Sequence, residues 1–428
     1  MDFYAGAKRN PVVAFIYKLP LVAKIYHFLL ATLAACVYGF PSRKIYMIGV
    51  TGTKWKTTTL ELLNSILEAA GEKTAMISSR RIKIGSDSRI NDTENTMPGS
   101  FFLQRSLRRA VNARCATALV EVTSQGAALS HHRFMEWDIG VVTNIAPEHT
   151  EAHGSFEAYR NAKLKFLKYV LKKQGTVFVN KNDANSQFFV NVFKDEKVVV
   201  LYSRDDAYMQ SLLSRPSLFE RPKDLPPEFI LSDFNKDNIA AAEAVARFIK
   251  VPDNVIEDGV RNFRGIPGRM EFVRKRGKTA VIDYAHTPES LEAVYATLRG
   301  MLKKNDNQNP GLVCVLGSAG GGRDKWKRPV MGKIAAQYCE TIILTNENPY
   351  DESPTRIISE IASGIPAEKR GGAIEILDRG EAIRRAAYYA KDGDIIVITG
   401  KGSEQWIHGP HGSKTPWSER KAVEEALK

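Results

Sequence analysis

The sequence predicts an α/β fold: a central P-loop domain with a mostly parallel sheet, followed by a Rossmann-like C-terminal α/β domain. Three observations predict it. Residues Ile45-Tyr46-Met47-Ile48-Gly49-Val50-Thr51-Gly52-Thr53-Lys54-Trp55-Lys56-Thr57-Thr58-Thr59 read as strand, turn and helix start. On the C-terminal side of that stretch, apolar runs of strand length recur, with amphipathic helical patterns between several of them. Such alternation marks a mostly parallel sheet covered by helices on both faces. At Arg264-Gly265-Ile266-Pro267-Gly268-Arg269 the pattern breaks, then restarts. The expected organisation is an apolar N-terminal helical segment at 1–43, a central domain at 44–263 and a second domain at 264–428.

The first stretch carries the chemistry. A strand, a Gly/Thr turn with exposed N–H groups, Lys-Thr and a helix form the layout of a phosphate-binding loop. Gly52, Thr53, Lys54 and Thr58 line it, Lys56 adds a point charge, and the Thr57 hydroxyl reaches Mg²⁺. One position departs from the pattern. Trp55 stands where Gly is usual before the Lys, and Gly serves there because the backbone turns tightly and comes close to phosphate. The competing reading is an ordinary strand–turn–helix with a Thr-rich start.

Bulk properties set bounds. At 428 residues the chain suffices for two or three domains, and 43% hydrophobic with 25% charged residues is a globular composition. The net charge of +13 favours anionic partners such as phosphates, acidic sugar nucleotides or a lipid surface. No recognition-helix, zinc-finger or RNA-binding signature is present, so no nucleic-acid partner is expected. Cys36, Cys115, Cys314 and Cys339 are scattered without CxxC spacing, and read as reduced core residues of a cytoplasmic protein. Residues 11–40 are strongly apolar, interrupted by Lys18, Pro20 and Lys24. Three readings stand for them: a helical pair packed on the next domain, an interfacial membrane helix, or a transmembrane span.

Strands are expected at Ile45–Val50, Thr74–Ile77, Thr117–Val122, Ile139–Thr143, Thr176–Val179 and Lys197–Tyr202. Ligands of such sheets sit at the carboxyl ends of the strands, which makes the polar residues there the ones to read. Glu121, Thr123 and Ser124 follow the third strand; Thr143, Asn144, Glu148 and His149 follow the fourth. Glu121 and His149 suit a cation beside phosphate, against the plain readings of a helix cap and a loop residue. Helix Phe156–Lys173 places Lys163 on or beside its apolar stripe, either snorkelling or functional with a shifted pKa. Residues 203–230 read as a Pro-rich excursion. In the helix Phe234–Lys250, Asn235 suits an N-cap.

In the second domain strands are expected at Phe272–Val273, Thr279–Ile282, Leu312–Leu316, Thr341–Leu344 and Ile395–Ile398. Their ends carry Asp283-Tyr284-Ala285-His286-Thr287-Pro288, then Gly317 to Lys325, then Asn346-Glu347-Asn348-Pro349-Tyr350, then Gly400-Lys401-Gly402-Ser403-Glu404. Four polar or Gly-rich strand ends are more than loops require, and suggest a binding rim.

Taken together these residues resemble the Mur ligase family, ATP-dependent enzymes that add amino acids to the peptidoglycan peptide. The similar branch adds the third residue to a UDP-N-acetylmuramoyl dipeptide. The resemblance rests on the ATP loop, Glu121-Val122-Thr123-Ser124, Thr143-Asn144, Glu148-His149, His153-Gly154 and Tyr159 to Lys163. It continues through Phe234-Asn235 with Asn238, Gly268-Arg269-Met270-Glu271, Asp283 to Pro288, Arg323-Asp324-Lys325 with Lys327-Arg328-Pro329, Asn348-Pro349 and Gly400-Lys401-Gly402 with Glu404. It covers residues 44–428. The resemblance implies ATP and Mg²⁺, two ions, as cofactors, with a muramoyl peptide and an amino acid as substrates. A carboxylate attacks the γ-phosphate, and an amine displaces phosphate from the acyl phosphate. It implies Lys56, His149 and a carbamylated Lys163 as catalytic groups. One ion falls to Thr57 and Glu121, and a second to His149 and Lys163. Asn238, Arg269, Asp283 and His286 fall to the nucleotide. Thr123, Ser124, Asn348, Tyr350, Gly400 and Glu404 fall to the substrates, with domain closure assembling the site.

Four positions depart from the family pattern: Trp55 and Trp326 replace Gly, Tyr350 replaces Arg, and Glu347 replaces Asp. The Arg–carboxylate clamp for diaminopimelate is therefore missing. The family's UDP-binding domain precedes the ATP loop, where this sequence has residues 1–43, so a lipid-linked acceptor stands beside a UDP-linked one. The location implied is cytoplasmic, or peripheral at the inner membrane face through residues 11–40. Two alternatives remain: a weakened nucleotide- or partner-binding relative, and a ligase for a folyl or poly-amino-acid chain.

Overall fold

The computed structural model describes residues 20–428, except 94, 149–152, 195, 197, 216–217, 219–229, 231, 303–308 and 323. The chain divides into two units: residues 1–220 with 233–263, and 221–232 with 264–428. His149, Arg323, residues 11–19 and, of the Pro-rich excursion, residues 216–217 and 219–229 lie outside the described residues.

The first unit opens with helix α1, Pro20–Val37. Strand β1, Tyr46–Thr51, feeds the loop and helix α2, Lys56–Ala69. Then come β2, Thr74–Ile77; β3, Arg81–Ile84; β4, Asp87–Ile90; helix α3, Ser100–Asn112; and β5, Thr117–Glu121. A short helix α4, Ser124–Ala128, precedes β6, Ile139–Val142. Helix α5, Phe156–Lys172, leads to β7, Thr176–Asn180, and β8, Val199–Tyr202. Helices α6, Asp233–Phe248, and α7, Asp253–Asn262, close the unit.

Its eight strands run in the order β4-β3-β2-β5-β1-β6-β7-β8, parallel from β2 to β8. β1 is central, its carboxyl end flanked by those of β5 and β6. The chain winds to one side of β1 and then to the other, which opens a crevice at that end. Both faces are buried, so β1 reads as a continuous apolar run rather than an alternating one. Trp137 and Phe166 meet edge to face beneath the sheet, with ring centroids 5.1 Å apart. Asn235 is not an N-cap: the helix begins two residues earlier, and Asn235 accepts from the Asn238 side chain at 3.3 Å.

The second unit holds β9, Glu271–Lys275; β10, Lys278–Asp283; helix α8, Pro288–Met301; β11, Leu312–Leu316; helix α9, Lys327–Tyr338; and β12, Thr341–Thr345. Helix α10, Pro354–Ala362, β13, Ile374–Ile376, helix α11, Arg379–Tyr389, and β14, Ile395–Thr399, follow. The hairpin β15, Trp406–His408, with β16, Lys414–Pro416, and helix α12, Glu419–Ala426, end it. The sheet order is β13-β12-β11-β14-β10-β9, parallel except for β9. α8 starts with Pro288 and a reciprocal Thr287–Ser290 capping box, as its sequence invites.

One expectation fails here. Cys314 and Cys339 are joined in a disulfide, their Cα atoms 6.1 Å apart, while Cys36 and Cys115 are free. Cys314 lies within β11, and Cys339 caps the carboxyl end of α9. The packing of that helix on the sheet brings together two residues 25 apart in sequence.

Candidate active site

In the first unit the predicted phosphate loop leaves β1 and meets α2 at Trp55. Gly52 has φ +149°, and a Cβ there would fall 1.9 Å from Thr143 Oγ1, so only Gly fits. The loop is pinned to the end of β6. The Thr53 N–H donates to Asn144 O at 2.8 Å, the Lys54 N–H donates to Asn144 Oδ1 at 2.9 Å, and Thr143 Oγ1 donates to Lys54 O at 2.8 Å. Lys54 itself turns to Glu148, Nζ to Oε1 at 2.6 Å, rather than into the loop.

Lys56 Nζ donates to the Gly52 and Thr53 carbonyls, each at 3.1 Å, and stands 3.9 Å from Glu121. Thr57 Oγ1 donates to Glu121 Oε2 at 3.0 Å and meets Ser79 Oγ at 3.0 Å. The Ser79 N–H donates to the same carboxylate oxygen at 2.9 Å. Three oxygen groups thus converge beside the start of α2. Such a hard donor set suits Mg²⁺, which keeps several waters and takes one or two protein oxygens. Glu121 is no helix cap; that role falls to Thr123, whose Oγ1 accepts from the Gly126 N–H at 3.0 Å. Ser124 Oγ meets His153 Nε2 at 3.1 Å.

Lys163 does not snorkel. Its side chain is buried, with Nζ donating to Gly52 O at 2.7 Å and lying 4.6 Å from the centroid of the Tyr159 ring. Tyr159 OH bonds Thr53 Oγ1 at 3.0 Å. Burial, reinforced by the Lys56 charge, pushes the Lys163 amine well below the ordinary lysine range. Thr58 is buried on α2, and Asn238 accepts from Thr59 Oγ1 at 3.1 Å, which ties α6 to the phosphate helix.

Trp55 sits in the left-handed region, φ 65° and ψ 4°, the conformation that makes Gly usual at this position. Its ring stacks on Phe234 of α6, centroids 5.2 Å apart and planes 10° from parallel. The left-handed cost of about 1–2 kcal/mol is comparable to a stack worth about 0.5–1.5 kcal/mol. Trp55→Gly is therefore expected to leave stability nearly unchanged while tightening nucleotide binding and raising phosphate release. Nucleotide titration beside a release assay checks this, and no change in either would mean that the ring stands clear of the phosphates.

In the second unit the polar strand ends gather into one network. Lys401 is fully buried; its Nζ donates to Asn348 Oδ1 at 2.8 Å, Glu404 Oε2 at 2.6 Å and Trp406 O at 2.6 Å. Asn348 Nδ2 also donates to Glu404 Oε2, at 2.9 Å, and Tyr284 OH donates to Glu404 Oε1 at 3.0 Å. Burial pushes the Glu404 carboxyl up, but Lys401, Asn348 and Tyr284 outweigh it and hold the group below its ordinary range. Glu347 is buried with Oε2 unpartnered, and burial raises its pKa despite nearby Lys327 and Lys401. Gly400, φ +105°, makes room for that carboxylate, since a Cβ would come within 2.7 Å of it.

Asp283 accepts from the Met270 and Ala285 N–H groups, both at 2.7 Å, and so braces the turn at Arg269. The Arg269 guanidinium lies over Tyr284 at 5.2 Å, and His286 Nδ1 meets Tyr284 O at 2.7 Å. Tyr350 is stacked on His408, centroids 5.3 Å apart and planes 12° from parallel. Among the predicted residues, Lys56, Thr57, Glu121 and Lys163 come together in the first unit. Asn348, Gly400 and Glu404 come together in the second; Thr123 caps α4, Ser124 meets His153 and Lys54 pairs with Glu148. Ser79 was absent from the predicted residues, and Tyr284 and Lys401 were read within the binding rim without a role of their own. All three follow strand ends, the same signal that singled out their neighbours.

Residues 50–221 match the model of the Mur ligase middle domain and residues 268–402 that of the Mur ligase, glutamate ligase domain. The UDP-N-acetylmuramoyl-L-alanyl-D-glutamate--2,6-diaminopimelate ligase of Halalkalibacterium halodurans is 34% identical over 424 residues, spanning 95% of this chain and 84% of that one. The chain belongs to the Mur ligase family. The UDP-N-acetylmuramyl-tripeptide synthetase of Roseiflexus is 33% identical over 423 residues, with 93% and 81% covered. A solved diaminopimelate ligase of the same name as the first relative superposes with a TM-score of 0.55 at 27% identity, over 90% of this Mur ligase and 78% of that chain. Escherichia coli FolC in complex with DHPP and ADP superposes with a TM-score of 0.61 over 86% and 89%, and at 18% identity it shares the fold. This Mur ligase is thus an ATP-utilising acid–amino-acid ligase with the mixed α/β architecture of its relatives.

Proposed function

We propose that this Mur ligase joins an amino acid to the peptide of a muramoyl dipeptide in the cytoplasm, with ATP activating the acceptor carboxylate as an acyl phosphate. The observation that carries the reading is the buried Lys163 amine against the Gly52 carbonyl of the phosphate loop. An amine whose pKa is pushed down in this way gives up its proton more readily and so exposes a lone pair. Attack on CO₂ forms the N–C bond of a carbamate and releases one proton, giving an anion in the field of the Lys56 charge. Thr57, Glu121 and Ser79 would hold one Mg²⁺; the carbamate, with His149, would hold a second. These ions would draw the acceptor carboxylate and phosphate, both anions, together. Lys56 would place its charge at the β/γ-phosphates, and the N–H groups at the start of α2 would orient them. Asp283 and His286 are proposed for the nucleotide. Glu404, Asn348 and Lys401 are proposed for the incoming amino acid, with Tyr350, stacked on His408, beside them.

The test is phosphate release from ATP and Mg²⁺, with and without a muramoyl dipeptide, across amino acids that include lysine and diaminopimelate. Release that requires the dipeptide and one amino acid is expected. The left-handed Trp55 favours a second reading, a weakened nucleotide-binding relative. Nucleotide binding without release under any combination would select it.

A further inference from the structure

Helix α1 is built inside out. Ala23, Ala31, Ala34 and Ala35 face the domain, while Val22, Ile25, Leu29, Leu33 and Val37 are between 41% and 60% exposed. Those five recur at spacings of three and four, so they form one stripe on a helix of 18 residues. At about 1.5 Å per residue the stripe from Val22 to Val37 runs on the order of 22 Å. Among the described residues no helix is long and apolar enough to cross a membrane. An apolar face of this kind lies on a surface rather than through it.

Beside this helix is a pocket of about 450 Å³ lined by His132, Arg133, Lys165, Lys168, Tyr169 and Lys172 among others. None of these four cations is paired with a carboxylate among the described residues. His132 is fully buried, edge to face with Tyr169 at 5.1 Å, and neither of its ring nitrogens has a hydrogen-bond partner. Arg133 Nε is also unpartnered. Burial, with the charges of Arg133 and Lys24, pushes the Lys165 amine down: cations are crowded here with nothing to neutralise them. The pocket and the helix are continuous, since the Arg133 guanidinium lies 6.0 Å from the Tyr169 ring centroid and 5.6 Å from that of Phe28 on α1. Phe28 in turn packs against Phe134 at 5.2 Å.

We propose that this pocket takes the phosphate of an anionic lipid headgroup while the apolar stripe of α1 lies in the adjoining bilayer surface, docking the enzyme on a membrane. Charge complementarity selects this occupant over a second copy of the chain, whose own copy of the pocket would be equally cationic. The proposal stands apart from the ligase reading, because vesicle capture needs no substrate and can fail while phosphate release persists.

The test is sedimentation of the full chain with phosphatidylcholine vesicles, with and without phosphatidylglycerol. Capture by the anionic vesicles alone, weakening as salt rises, is expected. Lys165→Gln with Lys168→Gln should lower partitioning roughly thirtyfold. Ile25→Ser with Leu29→Ser should abolish retention, and free inorganic phosphate should not release the protein. Phosphate release by both variants should match the parent, which separates lost docking from lost folding. Equal capture by neutral vesicles, no capture at all, or parental capture by the pocket variant would each overturn the proposal. So would a stripe variant that loses self-association yet still binds vesicles.

Discussion

Lys163→Met is expected to abolish turnover and to raise stability at the same time. The amine is buried between the Gly52 carbonyl and the Tyr159 ring, and its pKa is pushed well down. A Met fills a similar volume without that desolvation cost, so thermal unfolding should shift upward. The sign with pH follows from the depressed pKa. At intermediate pH the unfolded chain binds the proton and the folded chain does not, so the cost is largest below the folded pKa. It shrinks as pH rises toward the ordinary lysine value. The gain from Lys163→Met should therefore fade at alkaline pH. Turnover should fall by at least the ~10²–10³ typical of removing one preorganised electrostatic group. Part of it should return with a short carboxylic acid, which places a carboxylate where the carbamate would stand. In the parent enzyme, turnover should fall in CO₂-depleted buffer and as pH drops through the folded pKa, where the amine takes a proton and cannot hold CO₂. A Lys163→Met enzyme that turns over at the parental rate would remove Lys163 from the chemistry.

Most of the parallel strands were legible because they are short β-branched runs buried on both faces, as in Ile139–Val142 and Ile395–Thr399, whereas the parallel strand β13, three residues long and only partly buried, was missed. The hairpin β3–β4 was not. Arg81-Ile82-Lys83-Ile84 and Asp87-Ser88-Arg89-Ile90 carry the charge that edge strands use, and β4 is exposed throughout, so no apolar run announces it. The three-residue strands β15 and β16 are too short for any pattern. In the candidate site, the strand-end rule located Glu121 and Asn348, and applied after β2 it would have added Ser79. What it lacks is direction. Sequence places Lys163 beside an apolar stripe, but only the packing of α5 under β1 decides whether Nζ reaches solvent or Gly52. For the same reason an apolar α1 reads alike whether its aliphatic side chains face in or out. Local pattern records composition; which way a side chain points belongs to tertiary packing.

Arg379→Ala is expected to cost the second unit about 3–5 kcal/mol, the usual result of leaving one partner of a buried ion pair alone. Arg379 and Glu419 side chains are both fully buried. The guanidinium bonds Glu419, and also donates to Asn346 O at 3.2 Å and Thr399 O at 2.7 Å. Trp417 Nε1 donates to the same carboxylate at 2.6 Å. One planar fork thus ties α12 to the carboxyl ends of β12 and β14, the two strands that deliver Asn348 and Gly400. Arg379→Lys should recover little, because a point charge cannot satisfy three acceptors set in the plane of a guanidinium. Arg379→Met with Glu419→Leu should recover most of the loss, since neither member of the pair is then left buried without the other. Denaturant midpoints for the three variants measure this order. If the pair acts only through stability, the double variant should also restore the KM for the amino acid. If the fork instead sets the spacing of Asn346 and Thr399, stability should return while that KM stays high, because hydrophobic side chains hold α12 in place without fixing where the two strand ends stand.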